Sequence, residues 1–190
     1  MDNIAGLSGR PGAAAAPELK DDGKLVDLTG KLEKSECFCR NEDPRFPHTN
    51  LFMGDSRLGC KSEADEQLIL HIAFQETVKV KSIKFLAFND GNDPELNPTT
   101  VKMYVNRNNL GFEDIDDVDP TQVIELTADD LREGSEPIAT KFVKFQRVGS
   151  ITFFIEENNG GEVSALGGLK IFGRGTATMN MSDFKKQPGA

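Results

Sequence analysis

Three cysteines and a histidine, Cys37, Cys39, His48 and Cys60, put three sulfurs and an imidazole within 24 positions, enough in kind for a four-coordinate zinc site. Their spacing is not that of the common fingers, because Cys-x-Cys followed by one isolated cysteine lacks the second paired knuckle. Free thiols are therefore the plainer expectation. Redox work would need a thiolate held by a nearby cation, and Arg40 is the adjacent one. A second candidate for metal lies between positions 113 and 136, where ten carboxylates accompany one basic residue, Arg132. Asp114, Asp116, Asp117 and Asp119 are packed tightest and offer the oxygens a calcium ion takes. The glycine and closing glutamate of an EF-hand loop are missing, so a solvated or partner-facing acidic surface is favoured. Nucleophilic hydrolysis needs a histidine beside an activated Ser or Cys, and the chain has only His48 and His71. His71 falls among strand residues, which suits a hydrogen-bonded sheet histidine. Non-catalytic chemistry and no cofactor are the expectation.

Elements that would hold these residues read as β-strands. Leu68, Leu70, Ile72 and Phe74 alternate with Ile69, His71 and Ala73, the period of two that marks a strand, and both faces are apolar enough for a central one. Val78 and Val80 then alternate with lysines, and the parity flips at Lys81 and Ser82, where a bulge or break is expected. Further alternation covers Val101 to Val105, residues 121–126, Val143 to Arg147, Ile151 to Ile155, and Leu169 with Ile171. Thr127 and Asp130 have the spacing of a capping box, predicting one short helical turn near 128–133. Lys79, Lys81, Lys84, Lys102, Lys141 and Lys144 fall where the wet faces of half-buried strands would lie. Glycines 167, 168, 173 and 175 read as turn glycines. Seven or eight strands at this spacing predict an all-β jelly-roll sandwich.

Residues 1–20 are rich in Gly, Ala and Pro with few large apolar groups, and are expected to form a flexible tail. The folded domain is expected over 21–178 and a loosely ordered tail over 179–190. A net charge of −9 would repel a phosphate backbone and an anionic bilayer alike, so neither nucleic acid nor membrane is an expected partner. No apolar run approaches the ~20 residues of a membrane span, and the first residues lack the basic start and apolar segment of a secretory signal. An odd number of cysteines fits a reducing compartment. A cytoplasmic, and also nuclear, monomer is the expectation.

Five blocks occur in one order: DEQLILHIAF at 65–74, NPTTVK at 97–102, ELTADDL at 125–131, KFVKFQRVGSITFFIEENNGGE at 141–162 and MNMSDFKK at 179–186. In that wording and order the chain resembles the PITH (proteasome-interacting thioredoxin) domain family over roughly 25–186. The resemblance implies a galactose-binding-domain-like jelly roll. For the family's thioredoxin-like member it implies association with the 26S proteasome. The chain contains no Cys-x-x-Cys, so disulfide reductase activity is not carried over, and it looks like the stand-alone members. Surface contact through a protein partner is the leading expectation, with the loop at 156–168 and the tail residues Met179, Asn180, Met181, Asp183, Phe184 and Lys185 as the places to look. A sugar or small-ligand module is the alternative, weakened by the lack of Trp and the single Tyr104 as aromatic platform. A thiol-dependent redox adaptor is the other.

Overall fold

The computed structural model describes residues 25–175. Among these residues nine strands form one hydrogen-bonded network that folds over into two layers. They are β1 (Val26–Asp27), β2 (Phe38–Arg40), β3 (Cys60–Lys61), β4 (Leu68–Ala87), β5 (Pro98–Val105), β6 (Gln122–Glu125), β7 (Ile138–Ala139), β8 (Val148–Asn158) and β9 (Ala165–Gly175). The main path runs β1-β9-β4-β8-β5-β6, with β2 and β7 also on β4 and β3 on β9. Every pairing is antiparallel. The jelly-roll β-sandwich expected from the alternation is thus the fold.

β4 belongs to both layers. Its first part, Leu68 to Ala73, pairs with β8 from Ile155 to Ser150 and with β2, while Val78 to Ala87 pairs with β9 and, at Ser82 and Ile83, with β7. The parity switch at Lys81 is a bulge within a continuous strand: Phe172 pairs with Ser82 and Gly173 with Val80, leaving Lys81 without a partner in the β9 register. Inward residues of the two layers meet face to face. Phe85 of one and Phe153 of the other lie edge to face at 5.8 Å between centroids, in a core that also takes Leu70, Ile72, Met103 and Ile171.

A second, smaller core covers the outer face of the β4-β8-β5 layer. Ile69, Tyr104 and Phe154 point outward there, and the chain after β5 folds back so that Leu110, Phe112 and Ile115 cap them. Alternation hides this cover, because it is carried by a loop with no period of its own.

Three expectations need correction. Val143 to Arg147 is not a strand: Phe142–Phe145 is a 3-10 turn. With three residues per turn, Phe142 and Phe145 share a side while Val143 stands out, and Phe145 is fully buried against 86% exposure of Val143. Of the six lysines assigned to wet faces, Lys79 and Lys84 are buried. Lys84 Nζ donates to Asp130 O and Ser135 Oγ, both at 2.6 Å, so its ammonium is solvated by the 127–135 loop. The glycines at 167, 168, 173 and 175 are strand residues of β9, not turns.

The capping box is present. Thr127 N donates to Asp130 Oδ2 at 2.9 Å and Asp130 N to Thr127 Oγ1 at 3.3 Å, starting the short turn Asp129–Leu131 that seats Leu131 in the core. Asp130→Ala removes the carboxylate half of that exchange and is expected to cost about 1 kcal/mol. Urea unfolding checks this; a variant indistinguishable from the wild type would mean the turn holds without its cap.

Candidate functional site

The residues nominated for zinc do not all converge. Cys37 turns to β4, where its Sγ accepts from Ala73 N at 3.3 Å and faces the Glu33 and Ala73 carbonyls. Burial pushes its thiol pKa up. Cys39 and Cys60, by contrast, come together, and the third side chain beside them is Glu42, which sequence reading did not nominate. The two Sγ atoms and a Glu42 carboxylate oxygen all lie within 4.8 Å of one another. His48 stands behind this group: its Nδ1 is 2.9 Å from Glu42 Oε1, which also accepts from the His48 backbone N–H at 2.8 Å. A hydrogen bond to Cys60, then burial, and the negative charge of Glu42 all push the Cys39 thiol far above its ordinary value. Thiols held protonated in this way are poor nucleophiles near neutral pH.

Local structure explains why these groups meet. Asn41 adopts a left-handed backbone, φ 72°, which turns the chain so that Cys39 and Glu42 face the same way. Asn41 is held there by bonds from its Nδ2 to Asp65 Oδ1 and Gln67 O and to its Oδ1 from Ala64 N. Just before β3, Gly59 also has positive φ, and a Cβ there would sit 2.5 Å from Leu166 O of β9. Glycine is required at that position, for its φ and for the close approach of Leu166 O and the Phe88 ring, as the chain enters β3 at Cys60.

His71 is a sheet histidine, buried and stacked on Phe38 at 4.9 Å. Its Nδ1 is 2.9 Å from Thr152 Oγ1, and because that hydroxyl donates to Arg107 O, the network assigns the proton to Nδ1 of the neutral ring. Desolvation, then the charge of Arg40, lowers its pKa. Between the folded value and the ordinary ~6.5 the unfolded chain binds the extra proton, so stability rises with pH there. His71 therefore contributes stability that is present above about pH 6.5 and lost as pH falls through the folded value. Wild type is expected to lose more of its urea midpoint than His71→Gln between about pH 7 and pH 5; parallel losses would exclude this assignment.

The calcium candidates stay dispersed. Asp114 Oδ2 accepts from Gly111 N at 3.0 Å and the exposed Asp116 and Asp117 follow the buried Ile115. Among the described residues Asp114, Asp116, Asp117 and Asp119 do not converge as Cys39, Glu42 and Cys60 do. The loop after β8 is pinned rather than loose: Asn158 Nδ2 donates to Gly161 O and Val163 O, and Asn159 Nδ2 to Pro94 O. Beside it, Pro94 and Asn97 border a cleft of about 610 Å³, and the buried Asn97 Oδ1 has no hydrogen-bond partner. Tyr104 is buried in the second core and offers no platform for a sugar. The tail candidates Met179, Asn180, Met181, Asp183, Phe184 and Lys185 lie outside the described residues, as do the tails expected at 1–20 and 179–190.

With this geometry in hand, comparison with known proteins decides the family. The PITH domain model matches residues 18–189. The chain belongs to the PITH family. Thioredoxin-like protein 1 of Schizosaccharomyces pombe is 34% identical over 164 residues, which cover 85% of this chain and 56% of that protein. PITH domain-containing protein 1 of Dictyostelium discoideum is 29% identical over 145 residues, covering 74% and 69%. The chain thus spans little more than half of the fission-yeast relative. Among solved structures, a family 32 carbohydrate-binding module of Clostridium perfringens NanJ, in complex with galactose, matches with TM-score 0.53 at 13% identity over 78% of this chain and 99% of that one. A second module of this kind, from a glycoside hydrolase of the same organism, matches with TM-score 0.58 at 10% identity, over 77% and 99%. At such identities the likeness shows the galactose-binding-like fold alone. No helix among the described residues of this PITH chain is long and apolar enough to cross a membrane.

Proposed function

We propose that this PITH chain is a non-catalytic docking domain of the cytoplasm and nucleus that associates with the 26S proteasome. The family match carries the reading, and it extends from residue 18 to 189, so the MNMSDFKK segment lies within the family's own boundaries rather than beyond them. Both histidines are engaged by structural partners, His71 by Thr152 and His48 by Glu42, which favours contact over catalysis. The net charge of −9 favours a protein partner over nucleic acid or an anionic membrane. The test is co-sedimentation of the purified full chain with 26S proteasome at physiological salt. Binding above that of a scrambled-loop control supports the reading, and loss of binding on deletion of residues 179–186 assigns the tail to docking. Sedimentation no better than the control sinks it.

One observation favours a second reading. The unpartnered Asn97 Oδ1 beside the cleft between the 90–97 and 128–133 segments suits a small polar ligand that donates a hydrogen bond. A specific ligand must raise the melting midpoint. Galactose and related sugars that leave the midpoint unmoved would remove sugars from this reading.

A further inference from the structure

We propose that Cys39, Cys60 and Glu42 form a zinc site that staples the turn after β2 to β3, with His48 positioning the Glu42 carboxylate. Three donors already converge. Zinc at ~2.3 Å from sulfur and ~2.0–2.2 Å from oxygen sets tetrahedral donors roughly 3.5–3.8 Å apart. Cys39 Sγ, Cys60 Sγ and the Glu42 oxygen are all mutually within 4.8 Å, so side-chain adjustment alone closes them on an ion. Cys60 is buried, and Cys39 and Glu42 are partly buried, so an ion there would be shielded from bulk water without being sealed off.

The surroundings are built as metal sites are built. Cys39-Arg-Asn-Glu42 supplies two donors from one tight turn, and that turn is held by the left-handed Asn41 and its three side-chain bonds. Cys60 supplies the third donor from β3, which Gly59, with no room for a Cβ against Leu166 O, brings close to β9. His48 Nδ1 faces the Glu42 carboxylate, the kind of hydrogen bond that fixes a ligating carboxylate's orientation. Two sulfurs with a single carboxylate select a soft or borderline ion: calcium takes six to eight oxygens and magnesium a near-octahedral oxygen shell. Three protein donors leave the fourth tetrahedral corner to water.

Cys37 is excluded from the set by its contacts with β4, which gives the test its internal control. The tag-free full chain, reduced and metal-stripped, is titrated with Co2+ and followed by absorbance, then back-titrated with Zn2+. One equivalent of Co2+ is expected to produce thiolate-to-cobalt charge transfer with tetrahedral d–d bands, and Zn2+ to displace it. Cys39→Ser and Cys60→Ser are each expected to weaken Zn2+ binding on the order of 100-fold or more, His48→Gln roughly 10-fold, and Cys37→Ser not at all. Zn2+ is also expected to raise the melting midpoint of the wild type and of Cys37→Ser, but not of the other two cysteine variants. If the reduced wild-type chain shows no charge-transfer band, the site does not exist, whatever the variants do. A band that survives in the Cys39→Ser/Cys60→Ser double variant overturns it equally, as does loss of the band in Cys37→Ser with the fold intact by circular dichroism.

Discussion

Phe153→Ala is expected to destabilise the domain by about 3–5 kcal/mol, the range for deleting a buried phenylalanine. Phe153 comes from β8 in one layer and meets Phe85 of β4 in the other, edge to face at 88° between ring planes. Both rings are essentially inaccessible, with Leu70, Ile72 and Met103 in the same cluster. Truncation therefore removes the apolar transfer term, leaves a cavity at the centre of the sandwich, and deletes the aromatic pair, itself worth about 0.5–1.5 kcal/mol. Against a typical total of about 5–15 kcal/mol this is a large fraction. Urea unfolding should show a lower midpoint with little change in slope. Val143→Ala, on the exposed side of the 3-10 turn, serves as reference and should stay within about 0.5 kcal/mol of wild type. A loss below about 1 kcal/mol for Phe153→Ala would mean the two layers do not pack as described.

Gly173→Ala is expected to cost about 2–3 kcal/mol, although alanine in a strand is ordinarily favoured over glycine by ~0.5–1 kcal/mol. The reason is space. A Cβ at 173 would run into the Lys79 carbonyl oxygen and lie 3.0 Å from Val80 Cα, where β9 presses on β4 at the bulge. Those atoms are backbone and cannot swing aside, so relief requires the two strands to separate at the bulge. Gly175→Ala is the matched control, since its Cβ would have 4.0 Å to the nearest atom, Glu76 Oε2. Equal stability of the two alanine variants, measured by thermal and urea unfolding, would remove the close approach as an explanation.

The long strands were legible because their side chains report burial with a period of two. In Leu68 to Phe74 of β4 both parities are apolar, which marks a strand covered on both sides, and the second core over Ile69 is what covers its outer face. The flip at Lys81 and Ser82, read as a bulge or a break, likewise marked where the bulge lies. What failed did so for definite reasons. Strands β1, β2, β3 and β7 are two or three residues long, too short for any period to show. The 3-10 turn at Phe142 mimics alternation over five residues because a period of three and a period of two both place Phe145 inside. Lys84 looks like a surface residue in sequence because its solvating partners, Asp130 O and Ser135 Oγ, arrive from a loop some fifty positions away. The candidate site was half legible. Cys39 and Cys60 stand out by type, but Glu42 takes the place of Cys37 because the left-handed turn at Asn41 selects the residue three positions after Cys39, and positive φ at an asparagine leaves no mark in spacing. The Asn41-Glu42 pair after a cysteine was the available signal, since asparagine is among the few residues that accept that conformation.

The double membership of β4 has a consequence for how the chain is made. Leu68–Ala87 leaves the ribosome well before its long partners, β8 and β9, the last strands among the described residues. Neither layer can be completed on its own, since each waits for one of those two late strands. Throughout that interval a twenty-residue strand whose first seven residues are apolar on both faces lacks its long partners, the condition under which nascent chains aggregate. Such long-range pairing also places folding on the slower, millisecond-to-second scale. Chaperone capture during translation should therefore centre on β4, and end only when Ala165–Gly175 emerges.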